Sequence, residues 1–201
     1  MKICLICMKN YRKTSLHSLL FNCDICHDCF LKMNRRPYIQ RIDGVEVYSL
    51  FPYDDYLTSL IYQFKGCSDI VLSKVFLDYD LFYLRLKYKG YYVACAPSFI
   101  DHDKKRGFNH VEEIFKWLNL PVLKLFVKEK DFKQSSLSKK EREKAVNNIV
   151  LKGEENISNK KILLVDDIIT TGSTIKRMIE LIKEKRPKSL KVLTISYSQS
   201  K

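Results

Sequence analysis

Two adjacent carboxylates and a hydroxyl-rich turn stand out in the second half of this chain. Asp166 and Asp167 follow a short apolar run at residues 162–165. Such a run predicts a strand that is buried on both faces of a parallel sheet, and ligands bind at the carboxyl edge of such sheets. Two carboxylates at that edge can accept hydrogen bonds from the vicinal hydroxyls of a sugar, or help to hold a hydrated divalent cation.

The turn that follows these carboxylates carries four hydroxyl groups around one glycine. Its members are Thr170, Thr171, Gly172, Ser173 and Thr174, and we expect a helix to begin there. Free backbone N–H groups and the positive end of the helix dipole suit a phosphate group. An ordinary connection with one Thr or Ser cap would explain one carboxylate and one hydroxyl, but not this combination. The stretch therefore predicts a site for a ribose with a 5-phosphate. It is not a Walker-type loop, because the chain lacks that glycine–lysine pattern.

This stretch closely resembles the phosphoribosyl-pyrophosphate motif of the type I phosphoribosyltransferases. The resemblance implies that Asp166 and Asp167 meet the ribose hydroxyls, that residues 170–174 surround the 5-phosphate, and that Mg²⁺ accompanies the pyrophosphate. In purine-salvage members of that class an acidic general base stands at the position of Thr170, and a threonine cannot serve as that base at neutral pH. Classic purine salvage is therefore disfavoured.

Five of the seven cysteines lie within the first 29 residues, in two groups with Cys-x-x-Cys spacing. Two such knuckles predict a structural zinc site, which stabilises a segment too short to build its own core. The second group contains two pairs with the required spacing, so its ligands are ambiguous. We favour the later pair, and the expected ligands are then Cys4, Cys7, Cys26 and Cys29. Cys23 becomes a spare thiol.

The composition is that of a globular protein with an excess of positive charge. A chain of 201 residues with 46% hydrophobic residues can bury one sizeable core and carry a small appendage. The net charge of +13 favours anionic partners, either nucleic acid or a polyphosphate substrate, although a solvated lysine-rich surface has the same composition. No apolar run is long enough to span a membrane, and the N-terminus lacks a signal-peptide core, so we expect a cytoplasmic protein without membrane insertion.

The alternation of strand and helix patterns predicts an α/β fold with a parallel sheet. Strands are expected at residues 45–51, 91–96, 122–127, 162–165 and 190–197, and helices at 56–64, 70–86, 111–118 and after the turn. The resemblance given above implies the type I phosphoribosyltransferase fold over residues 41–201, with a zinc-finger module over residues 1–40. Residues 128–160 are basic and poor in apolar side chains, which predicts a flexible insertion.

A second motif precedes the third expected strand. Residues 106–109 read Arg-Gly-Phe-Asn, and Lys104 and Lys105 stand directly before them. Together with the paired aspartates and the cysteine knuckles, this motif resembles the ComF family of competence proteins, in which a glutamine usually stands at the position of His110. Residues 134–142 match a further segment of that family, which ends at Arg142. We expect His110 to pack at the start of a helix, and the alternative is a titratable group near the site.

The ComF resemblance implies a function. Members join a small zinc module to a phosphoribosyltransferase domain, so the chain is expected to handle incoming single-stranded DNA in natural transformation and to bind phosphoribosyl pyrophosphate. Other competence proteins are expected as partners. The alternative is an active glycosyltransferase that moves ribose 5-phosphate to an unknown acceptor. The candidates for contacts with phosphate or nucleic acid are Lys104, Lys105, Arg106 and Arg142, and a solvated loop is the alternative for the two lysines.

Overall fold

A computed structural model of the chain describes residues 1–12, 23–98, 103–104, 106–128, 148–152 and 155–198. In chain order, the strands are β1 (Lys2–Ile3), β2 (Asn10–Tyr11), β3 (Tyr38–Ile42), β4 (Val45–Pro52), β5 (Tyr91–Cys95), β6 (Phe126–Lys128), β7 (Ile149–Leu151), β8 (Lys161–Ile169) and β9 (Ser189–Tyr197). The helices are α1 (His27–Lys32), α2 (Asp55–Gly66), α3 (Leu81–Lys87), α4 (His110–Phe115) and α5 (Ser173–Lys183). Within this part of the chain, no helix is long and apolar enough to cross a membrane.

A five-stranded sheet with the order β3-β4-β9-β8-β5 forms the centre of the fold. Only its edge strand β3 is antiparallel to its neighbour, and the other three pairings are parallel. Alternate side chains of β8 serve two cores. Leu163 and Val165 pack on the face that α2 and α4 cover, whereas Ile162 and Leu164 pack on the face that α5 covers. This two-sided burial is the reason for the continuous apolar run.

The cysteine-bearing segment is docked on the sheet domain through a buried carboxylate. The side chain of Asp78 accepts hydrogen bonds from the backbone N–H of Asp24, at 2.7 Å, and of Ile25, at 3.2 Å. Cys29 and Met33 belong to the same apolar core as α2. The sheet begins with β3, so the boundary that we expected after residue 40 falls within a strand.

Two element predictions were wrong. Residues 70–86 were expected to form one helix, but they form a 3-10 turn at Ile70–Lys74 and the short helix α3. Between these elements, the buried carboxylates of Asp78 and Asp80 bind the cysteine segment and Arg35. The strand expected at residues 122–127 is reduced to a single bridge between Val122 and Val93 and to β6, which pairs with β7 instead of joining the central sheet.

The structure describes part of the segment at residues 128–160 that we expected to be an insertion. Lys128 in β6 pairs with Ile149 in the antiparallel strand β7, and Ile149 and Ile157 are buried in the core beneath α5. Residues 129–147, which include Arg142, lie outside the described part of the chain.

Candidate functional site

The paired aspartates lie where β8 extends beyond its neighbour β5. Pairing with β5 ends at Val165, whose carbonyl accepts the N–H of Ala96 at 2.8 Å, whereas pairing with β9 continues to Ile169. The sequence pattern had placed the end of this strand at Val165, so the strand continues four residues beyond its predicted end. Asp166 and Asp167 are therefore held by backbone pairing on one flank and face an opening on the other.

That opening is a cavity of about 170 Å³ between β8, α4 and the start of α5. Most of its polar lining consists of ionisable side chains, which are those of Arg106, His110, Lys128, Asp166 and Asp167. The hydroxyl groups of Ser98 and Thr174 complete the polar lining. Three cations surround two carboxylates once Lys65, which pairs with Asp167, is included. A net positive, partly enclosed site of this kind suits a phosphorylated ligand.

Lys65 is a site residue that the sequence did not reveal. It lies in the last turn of α2, and its ammonium group donates a hydrogen bond to the Asp167 carboxylate, which is only 7% exposed. Burial lowers the pKa of Lys65 to about 8, while the charge of Asp166 acts in the opposite direction. The sequence pattern had suggested only that Lys65 closes a helix before Gly66. The structure shows that it neutralises a buried carboxylate.

Arg106 and His110 form the wall next to this pair. The Arg106 Nε donates to the Lys65 carbonyl at 3.0 Å, and its Nη1 lies 2.9 Å from the His110 Nδ1. A guanidinium group can only donate, so the His110 Nδ1 accepts and its Nε2 proton points toward Asp167, 3.7 Å away. Arg106 lines the cavity, as a phosphate-binding residue should, but it also positions its neighbours.

His110 is the first residue of α4, as expected, and it also lines the cavity, which agrees with the alternative that it stands near the site. Lys104 is exposed and is not among the lining residues, so the structure gives it no place in this site. Lys105 and Arg142 lie outside the described residues.

Asp166 and Lys128 shape the electrostatics of the other wall. Burial raises the pKa of the Asp166 carboxyl to about 6, against the pull of the charges on Lys65 and Lys128. Burial also lowers the pKa of Lys128, which ends β6. The sequence pattern had assigned Lys128 to the start of an insertion, so its place in the cavity was missed. A carboxyl and an ammonium group that are both shifted toward neutrality are typical of a functional site.

The hydroxyl-rich turn has the geometry of a phosphate-binding helix start. Gly172, the N-cap residue of α5, has a left-handed backbone with φ of +73° and no side chain that could cap the helix. The Ser173 N–H donates a long hydrogen bond of 3.5 Å to the Thr171 Oγ1. Thr170 and Thr171 are exposed, and the Thr171 Oγ1 lies 3.0 Å from the Ser173 Oγ. The first N–H groups of α5 and the hydroxyls beside them can therefore donate to an anion.

We expect a Gly172→Ala variant to unfold more easily than a Gly90→Ala variant. Both positions have a left-handed backbone, which costs an L-residue about 1–2 kcal/mol. A Cβ at Gly172 would also lie 2.9 Å from the Ile42 Cδ1, whereas a Cβ at Gly90 would meet nothing within 4 Å. Urea unfolding of the two variants measures the difference, and equal losses would show that the close approach to Ile42 has no cost.

The four favoured cysteines form a second cluster. The Sγ atoms of Cys4, Cys7, Cys26 and Cys29 all lie within 4.8 Å of one another, and Cys23 is buried outside this group. The Cys7 and Cys26 Sγ atoms are 3.9 Å apart. A tetrahedral zinc ion with Zn–S bonds of about 2.3 Å separates its sulfurs by about 3.8 Å, so the donor set fits a metal such as zinc.

Backbone hydrogen bonds prepare one of these thiols for a metal. Burial alone would raise the pKa of Cys4, but backbone N–H groups of Cys7, Cys26 and Ile6 outweigh it and lower the value to about 7. The Cys26 N–H donates to the Cys4 Sγ at 3.3 Å. A metal held here would cross-link the first knuckle to the segment that Asp78 docks on the sheet domain.

Comparison with known proteins identifies relatives of both parts of the chain. A family model described as the phosphoribosyl transferase domain matches residues 104–201. Competence protein ComFC of Streptococcus pneumoniae is 32% identical over 170 residues, which cover 85% of this chain and 74% of that protein. Competence protein F of Haemophilus influenzae is 28% identical over 97 residues, which cover 44% of this chain and 42% of that protein.

Solved structures of phosphoribosyltransferases are also similar. One is a hypoxanthine phosphoribosyltransferase from Trypanosoma cruzi in complex with the product IMP, with a TM-score of 0.41 and 14% identity over 62% of this chain and 65% of that one. A TM-score this low does not by itself establish a common fold. The family match and the parallel sheet instead identify the type I phosphoribosyltransferase fold, preceded by a small cysteine-bearing segment.

Proposed function

Because this chain belongs to the ComF family of competence proteins, we propose that it handles incoming single-stranded DNA in the cytoplasm and binds phosphoribosyl pyrophosphate. The ligand assignment depends on one observation. Two carboxylates, the cationic side chains of Arg106 and Lys128, and Thr174 from the start of α5 line one cavity, and Lys65 pairs with Asp167 beside it. A phosphorylated sugar with a pyrophosphate group needs these three kinds of partner.

Each part of the ligand has suitable partners among the residues of the site. The N–H groups and hydroxyls of residues 171–174 bind the 5-phosphate, and the two carboxylates of β8 accept from the ribose hydroxyls. Arg106 and Lys128 face the pyrophosphate, together with Lys65 once the sugar hydroxyls take its place on Asp167. Mg²⁺ on the pyrophosphate would lower the negative charge that these residues must neutralise.

Calorimetric titration of the purified protein with phosphoribosyl pyrophosphate tests this proposal. We expect saturable binding at one site per chain that requires Mg²⁺. Ribose 5-phosphate and inorganic pyrophosphate serve as controls, since each carries only part of the recognised groups and should bind more weakly. Absence of binding, or equal affinity for inorganic pyrophosphate, would contradict the proposed site.

Lys65 provides a sharper test, because its ion pair with Asp167 joins distant segments and was not predictable from the sequence. We expect Lys65→Met to weaken binding of phosphoribosyl pyrophosphate about 10- to 100-fold, since one charge-assisted hydrogen bond contributes about 1.5–3 kcal/mol. Tyr62→Ala is the matched control, because Tyr62 lies on the same helix and is 68% exposed. If Lys65→Met keeps full affinity while its melting temperature falls, Lys65 is only a structural partner of Asp167.

Proposed handling of single-stranded DNA is supported by the charge of the chain and by its relatives. The 36 basic and 23 acidic side chains leave a net charge of +13, and phosphate contacts dominate affinity for nucleic acids. Fluorescence anisotropy with labelled oligothymidine should show binding that weakens steeply with salt. An affinity that does not change with salt concentration would contradict binding through phosphate contacts.

Turnover of phosphoribosyl pyrophosphate is the alternative function, and the match to a phosphoribosyltransferase domain favours it. Thr170, at the position where purine-salvage relatives carry an acidic base, is exposed at the start of the turn. Purine bases are therefore poor candidates for the acceptor. Release of pyrophosphate upon addition of an acceptor, measured by a coupled assay, would establish turnover.

A further inference from the structure

A second, larger concavity of about 740 Å³ lies where α1 packs against the sheet domain. Its lining is largely aromatic, and its charged members Arg35 and Asp80 form an ion pair. The residues that define this aromatic groove are His27, Phe30, Arg35, Tyr48, Tyr79 and Tyr83. None of the residues that line the groove also lines the cavity beside the paired aspartates. The groove is therefore a separate surface.

Two pairs of rings lie in this groove. Phe30 and Tyr79 are stacked, with centroids 3.7 Å apart and an angle of 7° between their planes. Tyr48 and Tyr83 meet edge to face at 6.4 Å, and Tyr83 is 48% exposed. Flat ring surfaces that remain open to solvent bind other flat rings, and nucleobases stack on tyrosine with little regard to sequence.

Positive charge accompanies the rings. The Lys87 ammonium lies 3.7 Å from the centroid of the Tyr48 ring. The segments that supply most of the groove, residues 27–36 and 79–89, contain three basic residues each and one acidic residue each, a net charge of +4. Arg35 is already committed, since its Nε donates to Asp80 at 2.9 Å. Arg85 is committed as well, because its Nη2 donates to the Trp117 carbonyl at 2.6 Å. The inference therefore depends on Lys87, which lies beside the rings.

We propose that the aromatic groove binds single-stranded DNA, with bases stacked on Tyr83 and its neighbours and phosphates beside Lys87. This inference rests on the proposed handling of DNA and gives that activity a location. An apolar helix of a partner protein is a poorer occupant, because Leu31 is the only aliphatic side chain among the groove residues. The exposed Tyr83 ring and the net positive charge of the two segments suit a nucleic-acid strand instead.

The groove also needs both parts of the chain. His27, Phe30 and Arg35 come from the cysteine-bearing segment, and Tyr48, Tyr79 and Tyr83 come from the sheet domain. Docking of that segment by Asp78 therefore builds the groove. The proposed metal thereby acquires a role in DNA binding in addition to local stability.

Fluorescence anisotropy of the full chain with labelled oligothymidine tests the groove. We expect Tyr83→Ala to weaken binding about 10- to 100-fold, as for other stacked bases, and Tyr83→Phe to retain it. Phe82→Ala is the matched control, because Phe82 is 52% exposed, adjacent in sequence and absent from the groove lining. Lys87→Ala should reduce the slope of log affinity against log salt by about 0.7, the value for one phosphate contact on a single strand.

The outcomes separate the groove from the wider function. Oligothymidine binding by the wild type that Tyr83→Ala leaves unchanged would overturn the groove and leave DNA handling intact. No oligothymidine binding by the wild type would overturn DNA handling and the groove with it. If Tyr83→Ala changes only the oligomeric state in sedimentation, a second copy of the chain occupies the groove, and the proposal is wrong.

Discussion

The double variant Asp166→Asn, Asp167→Asn should lose measurable binding of phosphoribosyl pyrophosphate. Asparagine keeps the shape of both side chains but replaces each carboxylate, which accepts hydrogen bonds from the ribose hydroxyls, with a neutral amide. Two charge-assisted bonds contribute about 3–6 kcal/mol together, which corresponds to at least about a hundredfold loss of affinity. Calorimetry under the conditions used for the wild type measures it.

Stability and binding must be separated in this variant. Asp167→Asn leaves Lys65 buried without its anionic partner, so the fold itself is expected to weaken. Adding Lys65→Met removes that uncompensated charge and should restore the melting temperature without restoring binding. Asp55→Asn, an exposed carboxylate in the first turn of α2, is the neutral control. Retained affinity in the double aspartate variant would contradict the site.

Loss of the proposed zinc should have the second large effect. We expect the Cys4→Ser, Cys7→Ser variant to contain no zinc, where the wild type contains about one ion per chain, and to melt at a much lower temperature. Structural zinc contributes about 10–16 kcal/mol of apparent binding free energy in small modules. Here Cys4 and Cys29 are buried in the main apolar core, so the loss reaches beyond the module. Elemental analysis and thermal unfolding provide the measurement.

Two single variants identify the ligand set. Cys23→Ser should retain zinc, because Cys23 lies outside the cluster of four thiols. Cys67→Ser should change neither zinc content nor stability, because Cys67 is exposed. If zinc persists after Cys4 and Cys7 are replaced, or is lost when Cys23 is replaced, the ion must have a different set of ligands.

Local sequence patterns predicted those parts of the fold that depend on residues close to one another in the sequence. The apolar run of β8, the glycine turn before α5 and the two knuckles each combine a strong residue preference with a short spacing. Gly172 is required by its own backbone angle, which is a local property. The spacing of the cysteines limits the ligand choices before any fold is known, and the structure then places the favoured four together.

Contacts between distant segments were beyond such patterns. Lys65 lies 102 residues before Asp167. The sequence around Lys65 predicts the end of a helix, but it does not indicate an ion pair with a residue so far away. Lys128 was missed because β6 is held by pairing with β7 across a long intervening segment. The predicted helix at residues 70–86 failed because Asp78 and Asp80 are buried, where they satisfy groups from the cysteine segment.

The most direct test of the central claim is a crystal structure of the protein with phosphoribosyl pyrophosphate and Mg²⁺. We predict that the ribose hydroxyls contact Asp166 and Asp167, that the 5-phosphate lies against the turn from Thr171 to Thr174, and that the pyrophosphate lies beside Arg106. Lys65 is expected to leave Asp167 in that complex. Ligand density at another surface, or a Lys65–Asp167 pair that persists beneath an empty turn, would contradict the account.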